Sequence, residues 1–315
     1  MRTILKLAAI LALLPQTSLA KDLYDKSYVG DQITYTTKYE DTFAKIATNY
    51  NLGYIEMRAA NPDVDPWLPG DGTKVILPTR HILPDVEKNG IIINLPEMRL
   101  YAFLYEGQPP ITYPIGIGRE GLNTPTGETS IVRKMANPEW RPTARMKKED
   151  PSLPDVVPPG PDNPLGTHML YLGWPTYGIH GTNKPYGIGR RVSSGCIRLH
   201  LHNIRELFQY VKTGTRVEVI NQPIKLGWIE DKLYLEVHPT IEQADQMEIG
   251  GIVETYDLRD EDLSLILKAA GDNAENLNWE LIRTAIKERH GHPIEIGWKN
   301  TQIAAQKSDE EKSKN

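Results

Sequence analysis

Cys196 is the only cysteine in 315 residues, and it sits in Ser193-Ser194-Gly195-Cys196-Ile197-Arg198-Leu199, sixteen positions after the histidine of Ile179-His180-Gly181-Thr182. A thiol attacks carbonyl carbon as its thiolate, and at an ordinary pKa of about 8.5 only a few per cent is ionised at neutral pH. A neighbouring imidazolium lowers that pKa, so Cys196 and His180 read as a nucleophile and its acid–base partner. Arg190, Arg191 and Arg198 add positive potential. Gly195 lets the backbone turn tightly beside the sulfur. The amides at Gly195 and Cys196 can then donate to a developing oxyanion, an interaction worth about 3 kcal/mol per donor. Zinc chemistry is not expected, because a metal site needs three or four clustered ligands and this pair supplies two. The bland alternative is a lone cysteine buried as a small hydrophobe. Of the other histidines, His168, His200 and His202 read as packing or surface residues. His81, His238, His290 and His292 lie outside the β-patterned region that holds the cysteine.

The surrounding segments must bring these groups together. Ile91 to Ile93, Leu100 to Leu104, Ile111 to Ile117, Gly127 to Lys134, Met169 to Leu172, Gly178 to Ile179 and Arg216 to Ile220 are strand-like runs parted by Gly, Pro and Asn. Ile204, Leu207, Phe208 and Val211 trace a helix after the cysteine, so the cysteine segment should link the sheet to that helix. Residues 142 to 164 carry seven prolines and no apolar period, which predicts a structureless lid or insert.

Before this β region, Ile33 to Thr36 reads as a strand. Phe43, Ile46, Ala47 and Tyr50 form one helical stripe that Asp41 can cap. A second helix ends at Asn61-Pro62, and Lys74 to Leu77 closes the unit as a strand; 79 to 89 reads as a linker. Beyond Pro223 an α+β region is expected. It has a strand near Leu233 to Val237, a helix on Leu263, Ile266, Leu267 and Ala270, and another on Trp279, Ile282 and Ile286 capped by Asn278. Residues 301–315 are polar and predicted to be disordered.

Residues 1–20 have the parts of a secretory signal: Arg2 and Lys6, an apolar run from Leu7 to Leu14, and Ser18-Leu19-Ala20 as a cleavage site. The apolar run is shorter than the about 20 residues a bilayer span needs. Cleavage would move the formal charge from −5 to −7, which argues against nucleic acid as the main partner. Three phenylalanines against fifteen tyrosines, with 24 prolines and 25 glycines, suggest a turn-rich β protein whose polar surfaces contact sugars or peptides. An exported protein with one unpaired cysteine keeps it for chemistry rather than for a disulfide.

Two resemblances follow from these residues. "YEDTFAKIATNY" and "RAANPDVDPWLPGDGTKVILP", in strand–helix–helix–strand order, make residues 33–79 resemble a LysM module, which implies binding to the glycan of peptidoglycan. "IHGTNKPYGIGRRVSSGCIRL", preceded by "INLPEMRLYAF", "YPIGIGREGLNTPTGE" and "NPLGTHMLYLG", resembles the YkuD-type L,D-transpeptidase catalytic domain in its Gram-negative periplasmic form, over about residues 89–221. The expected architecture is therefore multidomain: a signal peptide (1–20), a βααβ LysM unit, a mainly β catalytic domain built as a β-sandwich, and an α+β region over 222–300.

The second resemblance implies Cys196 as nucleophile, His180 as base, and the Gly181 carbonyl as the group orienting the imidazole. It further implies oxyanion donors at Ser194 and Gly195, and substrate contacts from Arg198, Ser193 and Arg191. Family members often carry histidine where this chain has Ser194. The implied reaction joins meso-diaminopimelate of a tetrapeptide stem to an amine through a Cys196 thioester, releasing D-alanine, with carbapenems as inhibitors and no cofactor. The acceptor is a second diaminopimelate or a lipoprotein lysine. Thioester hydrolysis, a sortase-like transpeptidase and a non-catalytic wall-binding protein are the alternatives.

Overall fold

The structure is a computed structural model that describes residues 22–300. The expected signal peptide and polar tail lie outside the described residues. The N-terminal unit comprises β1 (Tyr28–Val29), β2 (Ile33–Thr36), α1 (Phe43–Tyr50), α2 (Tyr54–Ala60), β3 (Lys74–Leu77) and β4 (His81–Ile82). β2 and β3 pair antiparallel, with Ile33 opposite Leu77. Phe43, Ile46 and Ala47 bury the predicted stripe of α1, but the cap is Thr42, whose Oγ1 accepts from the Lys45 amide at 3.2 Å. Asp41 instead accepts from the Tyr35 hydroxyl (2.8 Å) and the Lys38 amide (2.9 Å), tying the strand to the turn before the helix.

Segment 79–89 is not a linker. β4 pairs with β1, and His81, Ile82 and Leu83 are all buried. The N-terminal unit also shares one hydrophobic core with the sheet that follows: Phe43, Ile46, Leu52 and Met57 pack in the same cluster as Ile91, Ile93, Leu100 and Val217.

That sheet is built from β5 (Gly90–Asn94), β6 (Arg99–Phe103), β7 (Ile111–Pro114), β9 (Gly127–Ala136), β10 (His168–Leu172), β11 (Gly178–His180), β13 (Ile197–Arg198) and β14 (Arg216–Ile220), with β8 (Ile117–Gly118) and β12 (Arg191–Ser193) forming a separate parallel pair. The spatial order is β13-β11-β10-β9-β14-β5-β6-β7, and the pairs β11/β13 and β14/β5 are parallel. Three consecutive isoleucines make sense in β5 because the strand is covered on both faces. Ile91 and Ile93 face the main core, while Ile92 faces Tyr24, Leu83, Tyr101 and Phe103 on the other side.

The expected β-sandwich is realised as one curled, mainly β sheet. The chain leaving β7 at one edge reaches β13 at the other, where Gly116 and Arg198 exchange backbone hydrogen bonds of 2.9 and 2.8 Å. Residues 142–164 are not structureless as expected. They hold α3 (Ala144–Glu149), capped by Thr143, and Val157 bridges back to Trp140. α4 (Leu201–Tyr210) follows the cysteine segment and buries Ile204 and Leu207.

The C-terminal region has its own core. β15 (Ile224–Ile229), β16 (Lys232–Val237) and β17 (Ile294–Trp298) form an antiparallel sheet covered by α6 (Asp260–Ala270) and α7 (Trp279–Glu288). Asn278 caps α7, its side chain accepting from Leu281 N at 3.1 Å. α5 (Ile241–Glu248) stands apart from that core, and its Ala244 and Met247 join the main one. Sequence patterning did not reveal β15, β17 or α5. No helix among the described residues is long and apolar enough to cross a membrane.

Candidate active site

β11 and β13 are parallel neighbours in the register Ile179 to Ile197 and His180 to Arg198. Side chains alternate along a strand, so both isoleucines turn into the core and His180 and Arg198 share the opposite face. Cys196 precedes Ile197 and falls on that same face, near the Gly178 backbone amide, which favours the thiolate. Register and alternation alone thus bring thiol, imidazole and guanidinium to one cleft of about 520 Å³, which also includes Asn123, Trp140, Arg145 and Tyr177 in its wall.

His180 is buried, and its Nδ1 lies 2.5 Å from the Gly181 carbonyl. A carbonyl only accepts, so Nδ1 carries the hydrogen and Nε2 keeps the lone pair of a base. Burial, with a smaller contribution from the Arg198 charge, pushes the imidazole down to about 4, against a weak upward pull from Gly181. The expected thiolate–imidazolium pair is therefore not the resting state. Cys196 is itself pushed up by burial, and the Gly178 amide and Arg198 oppose that only incompletely. At neutral pH the cleft therefore holds a neutral thiol and a neutral imidazole.

The sulfur also lies 3.5 Å from the Thr176 carbonyl. Thr176 has φ +70°, a left-handed conformation costly for a β-branched residue. Nothing in Trp174-Pro175-Thr176-Tyr177 signals that conformation, so sequence reasoning missed this wall of the cleft.

The remaining predicted residues divide. Gly195 has φ +107°, and a Cβ there would stand 2.7 Å from the Tyr177 ring, so glycine is required. Its amide, expected as an oxyanion donor, instead donates to Ser193 Oγ at 3.0 Å, and its carbonyl accepts from Thr124 Oγ1 at 2.8 Å. Ser193 is buried in the cleft wall, and its hydroxyl donates to the Cys196 carbonyl at 2.5 Å, which shapes the turn. Arg191 does not point free into the cleft: it pairs with Asp245 and donates to Asn123 Oδ1 at 3.1 Å. Arg190 stacks 3.5 Å over the Tyr54 ring and pairs with Glu248. Ser194 and Arg198 do line the cleft, and the Arg198 Nε is buried without a hydrogen-bond partner among the described residues. His200 is buried and stacks on His202. His168 packs on Phe208.

Two other places invite comparison. A larger cleft of about 740 Å³ lies between the N-terminal segment and the C-terminal sheet, lined by Tyr28, Trp228 and Leu265, with no thiol or imidazole in its wall. His81, Glu97 and Glu236 converge as cation ligands would, but the Lys225 ammonium lies between the carboxylates, 2.7 Å from Glu97 and 2.8 Å from Glu236. Its charge already fills the role of a cation there.

Comparison with known proteins identifies relatives of this chain. The sequence model of the L,D-transpeptidase catalytic domain (YkuD) matches residues 88–219. The chain is 40% identical to the probable L,D-transpeptidase YbiS of Escherichia coli over 260 residues, 79% of this chain and 81% of that protein. It is 42% identical to the probable L,D-transpeptidase ErfK/SrfK of Salmonella typhimurium over 67% of this chain and 70% of that one. With the probable L,D-transpeptidase YcfS of Escherichia coli the identity is 45%, over 64% of this chain and 66% of the other.

Proposed function

The chain belongs to the YkuD-type L,D-transpeptidase family and is an L,D-transpeptidase of peptidoglycan; from that premise we propose that Cys196 carries the acyl group and His180 moves the protons. The observation that supports this most is the shared face of β11 and β13, which sets the single thiol beside an imidazole of fixed tautomer.

As Cys196 Sγ bonds to the carbonyl carbon of diaminopimelate, its proton passes to His180 Nε2. The carbon–nitrogen bond to D-alanine then breaks, and the imidazolium returns that proton to the leaving amine. An incoming amine attacks the thioester and gives up a proton to His180, and the sulfur leaves and is reprotonated. Arg198, its Nε unpartnered, binds a stem carboxylate. With the Gly195 amide occupied by Ser193, the oxyanion donors are the amides of Cys196 and Ser194. α3 and Trp140 cover the stem.

The N-terminal unit is proposed to grip glycan as a LysM module; its strand–helix–helix–strand order and the exposed Tyr39, Trp67 and Leu68 support this. The signal-like residues 1–20 support a periplasmic location. The acceptor is a second diaminopimelate or a lipoprotein lysine.

Cys196→Ala should abolish D-alanine release from tetrapeptide muropeptides and labelling by a carbapenem, read by intact mass. Retained turnover in that variant would exclude the mechanism. Muropeptide mass spectrometry of cells with and without the gene identifies the acceptor by which linkage disappears.

A further inference from the structure

The C-terminal region touches the nucleophile loop through one helix. α5 lies outside residues 88–219, the span matched by the catalytic family, yet its Asp245 pairs with Arg191 at the start of β12. The Arg191 side chain is only 5% exposed and spends all its nitrogens locally. Nη1 also reaches the Ile241 carbonyl at 3.4 Å, Nη2 donates to Asn123 Oδ1 at 3.1 Å, and Nε donates to the Gly118 carbonyl at 3.3 Å. One guanidinium thus joins α5, the turn bearing Asn123 in the cleft wall, and β8, the partner of β12. Two residues on, Ser193 takes up the Gly195 amide and the Cys196 carbonyl. An unbroken run of contacts connects Asp245 to the backbone of the nucleophile.

The neighbouring pair on the same helix makes a natural contrast. Glu248 pairs with Arg190, which stacks on Tyr54 of the N-terminal unit, and Arg58 of α2 donates to the Met247 carbonyl. Those contacts fix α5 to the body of the protein. The Asp245–Arg191 contact faces the reactive loop instead. β12 has three residues and pairs with the two-residue β8, where the Ile117 and Arg119 amides donate to the Arg190 and Ser193 carbonyls at 3.1 and 3.0 Å, so the loop's own sheet is short.

We propose that Asp245 is a positioning residue for the transpeptidase reaction: through Arg191 and Asn123 it holds the Ser193–Cys196 loop at the geometry from which the thiol attacks. The C-terminal region is then a working component of the active site. This rests on Cys196 being the nucleophile.

The test uses the full-length protein and measures carbapenem acylation rate, kcat and KM for a tetrapeptide stem, and Tm. A displacement of about 1 Å at a reacting group costs up to about a hundredfold, so Asp245→Ala and Asp245→Asn should lower acylation and kcat about tenfold or more. KM should stay within about twofold, because the donor contacts remain. Asp245→Glu, which keeps the carboxylate, should retain at least about half the rate if the ion pair is what matters. Glu248→Gln, which loosens docking without touching Arg191, should acylate at the wild-type rate with an equal or larger fall in Tm. Asp245 variants that acylate normally, a deficit confined to KM, or equal rate losses in the Asp245 and Glu248 variants would each overturn the proposal. If the wild-type protein is acylated no faster than Cys196→Ala, the nucleophile assignment falls and this inference falls with it. Normal wild-type acylation with unaffected Asp245 variants removes the inference alone.

Discussion

At the sulfur, burial and charge pull in opposite directions, and burial wins. It raises the thiol and holds His180 at about 4, so the pH dependence should not follow a free histidine. Cys196 alkylation by iodoacetamide, followed by mass, should keep climbing from pH 6 through 9 with no shoulder near 6.5. A plateau already reached below pH 7 would instead reveal a preformed thiolate–imidazolium pair. His180→Ala should slow acylation by about two to four orders of magnitude, the usual range for a general acid–base group. That Cys196 and His180 share one cleft was legible in the sequence, because a thiol and an imidazole stand there in a recognisable setting. The tautomer and the direction of both pKa shifts were not, since they depend on Gly181, Arg198 and the depth of the cleft.

Among the elements, helices with a clear apolar stripe were readable: α1, α4, α6 and α7 all bury residues that periodicity selected. α5 escaped notice because its stripe is short, with only Gln243, Ala244 and Met247 buried in an octet whose apolar residues are Ile241, Ala244 and Met247. The loop between β11 and β12 shows how tightly the elements are set. A Cβ at Gly189, which has φ +71°, would collide with the Gly53 backbone and the Tyr54 amide. The Gly189 carbonyl also accepts from the Ile55 amide at 3.2 Å. Gly189→Ala must therefore push these backbones away from each other. A loss of about 2–4 kcal/mol in urea denaturation is expected, from strain at the left-handed residue and from overpacking. A loss under about 0.5 kcal/mol would mean the loop simply moves aside.

The whole molecule is pinned at a buried charge cluster to which every region contributes. Glu56 of α2 binds Arg99 of β6 at 2.7 Å, and His81 of β4 lies 3.5 Å from Glu97. Lys225 of β15 bridges Glu97 to Glu236 of β16, on which His238 closes at 2.7 Å. The Ile82 amide donates to Glu236 across 154 residues of chain, and each charged member reads locally as an ordinary surface charge. That is why the sequence suggested separable modules joined by a linker.

Removing one member leaves a buried charge unpaired, so Arg99→Ala should cost about 3–5 kcal/mol in chemical denaturation. The wild-type N-terminal unit and catalytic sheet should unfold in one transition, seen as coincident tryptophan-fluorescence and circular-dichroism curves; two separated transitions would contradict the shared core. Acid should weaken the same body. His180 and His200 are both held at about 4 when folded, mainly by burial, against 6.5 for the free side chain. The unfolded chain therefore binds more protons between those values. Stability present above pH 6.5 is lost as pH falls toward 4, by up to roughly 3 kcal/mol per ring. A urea midpoint that stays level from pH 7 to 4.5 would rule this out.

The contact of Gly189 with Gly53 carries one more consequence. With no slack between the N-terminal unit and the thiol, anything that unit grips travels at a constant offset from Cys196. If that unit holds glycan as proposed, a tethered enzyme could sweep many bonds from one anchorage, whereas this one would have to swing its whole mass or wait for its target to bend. Its reach is set by anatomy.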